Sequence, residues 1–252
     1  MRTMFYFTAI AICVLVIHLS APADILDGLV AFWSFDEGEG DTAEDSIGEH
    51  HGEIDGATWT DDAMEGAALD FSPKKDSSVI IEHIEGIDEL PNGFTISHWA
   101  KQRGRGAMMD KSENDGARIQ WFLLDDTRLH WGIGNSFGFA PGLGEVRQWM
   151  YLTWSHEPGD SQVYINGEKV GGGPEGPVPV TGRPMYFGTR MPWQQFGKEQ
   201  RFDGILDEVA FWTRPLSVKE IEEVTEKGIQ QILAVSPKAK LATKWASLKT
   251  KL

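Results

Sequence analysis

From Asp24 to about Pro215 the sequence runs in short apolar or alternating stretches, each cut off by Gly, Pro, Asn or Asp, with no helical period between them. A chain punctuated this often folds as strands and turns, in an all-β sandwich or barrel. Leu29, Ala31, Trp33 and Phe35 alternate, as do Met150, Leu152 and Trp154, so each set lines one strand face and belongs in a core. Candidate strands cover 29–35, 67–71, 78–82, 94–101, 108–111, 120–124, 128–133, 149–155, 162–165, 185–187 and 206–212. The strongest local signal is Val163-Tyr164-Ile165 followed by Asn166-Gly167, because Asn-Gly accepts the positive φ angles of a two-residue hairpin turn. A return strand through Lys169 and Val170 should follow, with Gly171-Gly172-Gly173 as the exit of the hairpin.

After Trp212 the pattern changes. Ser217 and Glu220 form a capping box that opens one short helix from Val218 to Lys227, and Gly228 is placed to end it. Residues 229–252 carry no acid and five lysines, Lys238, Lys240, Lys244, Lys249 and Lys251, and read as a basic tail, either a solvated terminus or an appended contact segment. At the other end, Arg2, the apolar run Met4 to Leu19 and the small-residue site Ala21-Pro22-Ala23 have the order of a secretory signal. The apolar run falls short of the ~20 residues that span a bilayer. The expected organisation is therefore a signal over 1–23, one domain over 24–228 and a tail over 229–252, in a protein exported to the periplasm or the exterior. The only cysteine, Cys13, lies inside the signal, so the mature form has no disulfide or thiol chemistry.

Charge narrows the partners. With 38 acidic against 23 basic side chains and a formal charge of −15, the chain is a poor match for nucleic acid, where Lys and Arg must neutralise phosphates. Anionic membrane surfaces are equally unsuited.

Several phrases together resemble the LamG-like jelly-roll family, the concanavalin A-like sandwich group that includes pentraxins. Gly28-Leu29-Val30-Ala31-Phe32-Trp33-Ser34-Phe35-Asp36-Glu37-Gly38 is similar to its first strand, and Asp45-Ser46 with His51-Gly52 to the turn that follows. Ala68 to Phe71, Phe94 to Trp99, Trp149 to Trp154 and the Asn166-Gly167 hairpin resemble its core strands. The most specific match is Phe202-Asp203-Gly204-Ile205-Leu206-Asp207-Glu208-Val209 through Arg214-Pro215-Leu216-Ser217. The resemblance implies a concanavalin A-like jelly-roll sandwich of two antiparallel sheets with about a dozen strands and one short C-terminal helix. It does not single out one function, since sandwiches of this type carry lectins, adhesion modules and some hydrolases.

Asp36, Asp41 and Asp45 lie in a Gly-rich segment suited to calcium, which takes hard oxygen ligands, although the spacing is not that of an EF-hand. The family resemblance points instead to a structural calcium held by Asp45 and Asp207 with carbonyls near His51 and Gly52. The competing reading is that these acids bond their own turns. Catalytic carboxylates are not evident. The E-x-D-x-x-E strand of related glycosidases is broken at Thr58, and alternation turns Glu208 away from Asp203 and Asp207. The seven histidines form no H-E-x-x-H motif; His50-His51 reads as turn chemistry and His98 as a hydrogen-bonded sandwich histidine.

Of the ten tryptophans, most fall on strands, where packing is the default. Trp193 lies in a loop between Arg190 and Gln194, a setting suited to the apolar face and hydroxyl edge of a sugar or to anchoring the loop; Trp59 and Trp131 are weaker candidates. The reading is an exported, non-catalytic module that binds a glycan or an extracellular protein. The alternatives are an adhesive or structural spacer with no small ligand, and a divergent glycoside hydrolase or polysaccharide lyase. An exposed aromatic lining the concave sheet favours the first of these readings, and a flat polar concave face the second.

Overall fold

The computed structural model describes residues 24–236 apart from 83–86, 88–89, 115–116, 124–127, 143–146, 180 and 191–199. Two antiparallel sheets face each other. The first contains β14 (Glu168–Gly173), β13 (Asp160–Ile165), β12 (Trp149–Glu157), β7 (Phe94–Gln102), β16 (Gly204–Trp212), β5 (Ala68–Phe71) and β4 (Thr58–Thr60) in that order, with β1 (Leu29–Trp33) also paired to β16. The second runs β11 (Ser136–Gly142), β10 (Arg128–Ile133), β9 (Ala117–Leu123), β8 (Gly106–Asn114), β15 (Met185–Phe187), β6 (Ser78–Ile81), β3 (Gly52–Asp55) and β2 (Thr42–Ala43). This is the expected jelly-roll sandwich.

Alternation places the core. Trp33, Ile96, Trp154 and Phe211 from the first sheet meet Val79, Met109, Trp121, Trp131 and Phe187 from the second, and all of these are buried. Edge-to-face contacts order the rings, with Trp33 to Phe187 at 5.2 Å and Trp121 to Trp154 at 5.8 Å between centroids. His98 points into this core and meets Trp121 edge-on at 4.8 Å. Its Nε2 has no hydrogen-bond partner among the described residues, and burial drives its pKa down to about 3, so it is a neutral packing histidine and not the hydrogen-bonded one expected.

Asn166 and Gly167 take φ of 51° and 81°, as the hairpin requires. The glycines after it do not leave the sheet; they belong to β14. A Cβ on Gly171 would stand 2.4 Å from the Trp131 ring, and one on Gly138 of β11 would stand 2.2 Å from it, so two glycines open the slot that Trp131 fills. Trp131 is thereby 1 % exposed and unable to meet a sugar.

A second apolar cluster covers the outer face of the first sheet. Phe32, Tyr151, Tyr164 and Trp212 pack there against Ile221 and Val224 of α1 (Val218–Lys227) and Ile229 and Ile232 of α2 (Ile229–Val235). The capping box forms as expected, and Gly228 ends α1. The same glycine starts α2, so the chain after Gly228 begins with a packed helix and not with a solvated tail. The lysines from Lys238 onward lie outside the described residues.

Candidate functional site

Asp45 is a turn clamp. It is 5 % exposed, and its Oδ1 accepts the N–H groups of Phe32 (2.9 Å) and Ile47 (3.0 Å). Its Oδ2 accepts those of Gly48 (3.1 Å) and His50 (3.2 Å) and lies 2.9 Å from His50 Nδ1. A carboxylate surrounded by that many donors has no oxygen left to face a cation. His51 Nδ1 instead lies 2.7 Å from Glu44 Oε2, and Gly52 sits under Val79, where a Cβ would come within 2.4 Å of a methyl carbon. The Asp45 carboxylate is thus engaged by its own turn. Among the described residues, no three His, Asp or Glu side chains converge as a metal site.

Asp207 has the opposite environment. It is fully buried on β16, its Oδ2 accepts Met64 N–H at 2.8 Å, and its Oδ1 has no hydrogen-bond partner among the described residues. A bulge between Asp207 and Ala210 breaks the alternation, and Glu208 takes φ of 49°. The expectation that Glu208 turns away from Asp207 assumed an unbroken strand. Both acids are instead buried, and neighbouring acids add to the cost: burial first, then Glu208 on the same strand, pushes Asp207 up to about 7, while burial and then Glu65 push Glu208 up to about 7. Neither acid lines a cleft, since they are 0 % and 4 % exposed.

The outer face of the second sheet carries the open aromatic surface. Phe137 and Phe139 of β11 are 44 % and 51 % exposed. They point outward because Gly138 and Ala140, alternating with them, turn inward toward Trp131 and the core. Register then builds a row across three strands, with Phe139 opposite His130 and His130 opposite Phe122. Their rings stack, at 4.7 Å and 20° for His130 with Phe139 and 5.8 Å and 27° for Phe122 with His130. Gly132 is the reason Phe137 can lie beside this row: a Cβ there would stand 2.7 Å from its ring.

Charged and polar groups border the rings. Arg128 Cζ lies 5.3 Å from the Phe139 centroid and Arg190 Cζ lies 5.7 Å from that of Phe122. In the adjoining row Gln120 Nε2 donates to Ser112 Oγ at 3.1 Å, and Ser112 Oγ donates in turn to Asp110 Oδ1. Arg190 is thus one of the three sugar-contact residues expected from the sequence, and it opens the loop beside this face; Trp193 and Gln194 lie outside the described residues. Trp59 is half-buried and donates its indole N–H to Gly40 O at 2.9 Å. A separate depression of about 440 Å³ is lined by ion-paired groups: Arg103 Nη1 donates to Asp70 at 2.8 Å and Arg103 Nε to Asp203 at 3.0 Å.

No curated protein matches the sequence. In structure, the chain is similar to domain 4 of AbnA, a GH43 extracellular arabinanase from Geobacillus stearothermophilus, solved with arabinotriose; identity is 19 %, the TM-score 0.63, and the match covers 78 % of this chain and 98 % of that one. It is similar also to the binding domain of Paraclostridial Mosquitocidal Protein 1, at 19 % identity and a TM-score of 0.64, over 80 % of this chain and 52 % of that one. The binding domain of Botulinum Neurotoxin DC, solved in complex with SialylT, matches at 15 % identity and a TM-score of 0.60, over 80 % and 52 %. The chain spans about half the length of these toxin domains, and at such identities the likeness is one of fold. No helix among the described residues is long and apolar enough to cross a membrane. Residues 73–222 match the Laminin_G_3 family model, and with the two-sheet sandwich and its register this makes the chain a lectin-like jelly-roll domain that belongs to the concanavalin A-like lectin/glucanases superfamily.

Proposed function

We propose that the protein is an exported, non-catalytic module that binds a glycan through the outer face of its second sheet. The observation that carries this reading is the pair of half-exposed rings, Phe137 and Phe139, the first tilted against His130 and the second stacked on it, with guanidinium and amide groups at their border. Large apolar side chains left in water on an otherwise ordered strand mark a binding surface. A sugar presents an apolar ring face and a hydroxyl edge, and this arrangement can meet both. The arabinotriose held by domain 4 of AbnA and the toxin binding domains support a binding role on this fold. The burial of Asp207 and Glu208 supports a role without glycosidic chemistry, because paired catalytic carboxylates must flank a substrate.

A structural calcium belongs to the same proposal and is centred on Asp207, one of the residues expected to hold it, whose buried Oδ1 has no hydrogen-bond partner among the described residues and is the kind of oxygen a hard cation takes. Secretion through the 1–23 signal is the corresponding proposal for localisation. A glycan-array screen of the purified protein beside Phe139→Ala tests the main reading, with circular dichroism as the control for folding. Selective binding lost in the variant is the expected result. A blank array with a folded protein would transfer the role to protein adhesion or to a spacer.

A further inference from the structure

His156 of β12, Ser161 of β13 and Glu175, just beyond the end of β14, meet in a chain that is 0 %, 0 % and 5 % exposed. Ser161 Oγ donates to Glu175 Oε2 and lies 2.9 Å from His156 Nδ1, and the Trp154 indole donates to the same hydroxyl at 3.3 Å. A hydroxyl has one proton to give. While Glu175 is ionised it takes that proton, so His156 Nδ1 must carry a hydrogen and donate, which leaves Nε2 bare. Nε2 has no hydrogen-bond partner among the described residues, and the group beside it that favours a proton on the ring is the backbone of Gly176. Glu175 and Gly176 begin the connection that leaves β14 in the first sheet and reaches β15 in the second, and Gly159 N–H fixes its start by donating to Glu175 O at 2.8 Å.

We infer that His156, Ser161 and Glu175 form a proton-operated latch on the connection between the two sheets. One proton entering from water at His156 Nε2 shifts each hydrogen of the chain by one place: the Nδ1 hydrogen passes to Ser161 Oγ, and the Ser161 hydrogen passes to Glu175. The hydrogen bonds then run the other way, from the Glu175 carboxyl to Ser161 Oγ, from Ser161 to Nδ1, and from Nε2 to Gly176 O. Each atom of the chain now has a partner, and Gly176 is held. Loss of that proton leaves Nε2 bare against a carbonyl, and the hold is gone. The same proton kept on the ring, as imidazolium beside carboxylate, also makes the Gly176 contact, so the latch depends on the proton count of the pair. Burial favours the neutral arrangement, since it raises Glu175 above its ordinary value and drives His156 down to about 4. Among the described residues, the charged group that bears on His156 is Asp160 of β13, while Glu157, next on β12, is exposed; Glu175 is met by Ser161 and by Trp131 of β10, which favour its charge less than burial opposes it. The latch therefore closes as the pH falls through the raised value of Glu175 and opens as it rises.

A side-chain nitrogen NMR titration of the intact protein tests this, because the shifts of Nδ1 and Nε2 report which of them carries the hydrogen. From pH 8 to pH 5 the hydrogen of the His156 ring should move from Nδ1 to Nε2 in one step. Over the same step the Gly159 amide, which donates to Glu175 O, should gain protection from exchange by about five-fold beyond the effect of pH on exchange itself. Glu175→Gln, whose amide donates to Ser161 as the protonated acid does, should keep the hydrogen on Nε2 at every pH, and Ser161→Ala should abolish the step. A ring hydrogen that stays on one nitrogen throughout in the wild type overturns the latch, as does a step that persists in Glu175→Gln. A step with unchanged protection of Gly159 overturns the hold on the connection. The wild-type titration decides without any variant, and circular dichroism shows whether each variant is folded.

Discussion

Asp45 and Asp207 are both buried aspartates on the strand framework, and each was a candidate ligand for the same ion. Asp45 sits in a tight turn whose backbone N–H groups converge on it, so burial adds no unmet cost to its charge. Asp207 sits on a central strand at a bulge; Met64 N–H donates to its Oδ2 at 2.8 Å, and the backbone groups of Glu65 and Glu208 help less than burial costs it. The same side chain is therefore a structural anchor in one place and a stored electrostatic strain in the other. What separates them is the supply of donors, which depends on local backbone geometry and not on residue type.

The largest expected effect comes from removing the anchor. Asp45→Ala leaves the N–H groups of Phe32, Ile47, Gly48 and His50 without their acceptor, each a charge-assisted bond of about 1.5–3 kcal/mol. Allowing for water reaching part of the turn, the loss should be at least about 3 kcal/mol in urea unfolding. A loss under about 1 kcal/mol would mean the turn holds without the clamp and would dissolve the contrast with Asp207.

Asp207→Asn should act in the opposite direction and only above acid pH. The carboxyl has its ordinary value when unfolded and about 7 when folded, so the native state binds more protons between those limits. Stability is then fully present below about pH 3.8 and falls as the pH rises through 7, by an amount on the order of a few kcal/mol. The asparagine variant should gain over the wild type at pH 8, match it near pH 4 and show a flatter pH profile. Calcium would remove the same penalty by meeting the bare oxygen: at pH 8 it should raise the thermal midpoint of the wild type and not of Asp207→Asn. An unchanged wild-type midpoint sinks the calcium assignment.

The pattern of what could be read from the sequence follows the same physics. Strands whose apolar residues face inward were legible, including β7, β10 and β12, because alternation and burial agree there. β11 was not. Its Ser-Phe-Gly-Phe-Ala-Pro-Gly run reads as a loop because the small residues face the core and the large ones face water, an inversion explained only by the bulk of Trp131 beneath it. The site was hidden for that reason: the exposed rings lie on an unrecognised strand, and of the expected contact residues that lie among the described ones, Arg190 stands beside it. The bulge at Glu208 was equally invisible, since a period-two reading has no way to mark an extra residue. α2 escaped notice because Gly228 reads as a stop, and here it is a stop and a start.

Glu208→Gln gives the smallest effect and the sharpest discrimination. Glu208 is also buried and also raised to about 7, but the Trp99 indole donates to it, whereas Asp207 keeps an oxygen with no partner. If the missing donor is the source of strain, Glu208→Gln should stabilise the protein at pH 8 by less than Asp207→Asn does, on the order of 1 kcal/mol, because glutamine can keep the indole bond. If mutual repulsion is the source, relieving either charge should help equally, and the two variants should match. Parallel urea titrations at pH 8 decide between these outcomes. A larger gain at Glu208 than at Asp207 would show that the crowding of acids, with Glu65 and Asp36 beside Glu208, outweighs the orphaned oxygen, and that the contrast between Asp45 and Asp207 lies in neighbouring charge and not in the supply of N–H donors.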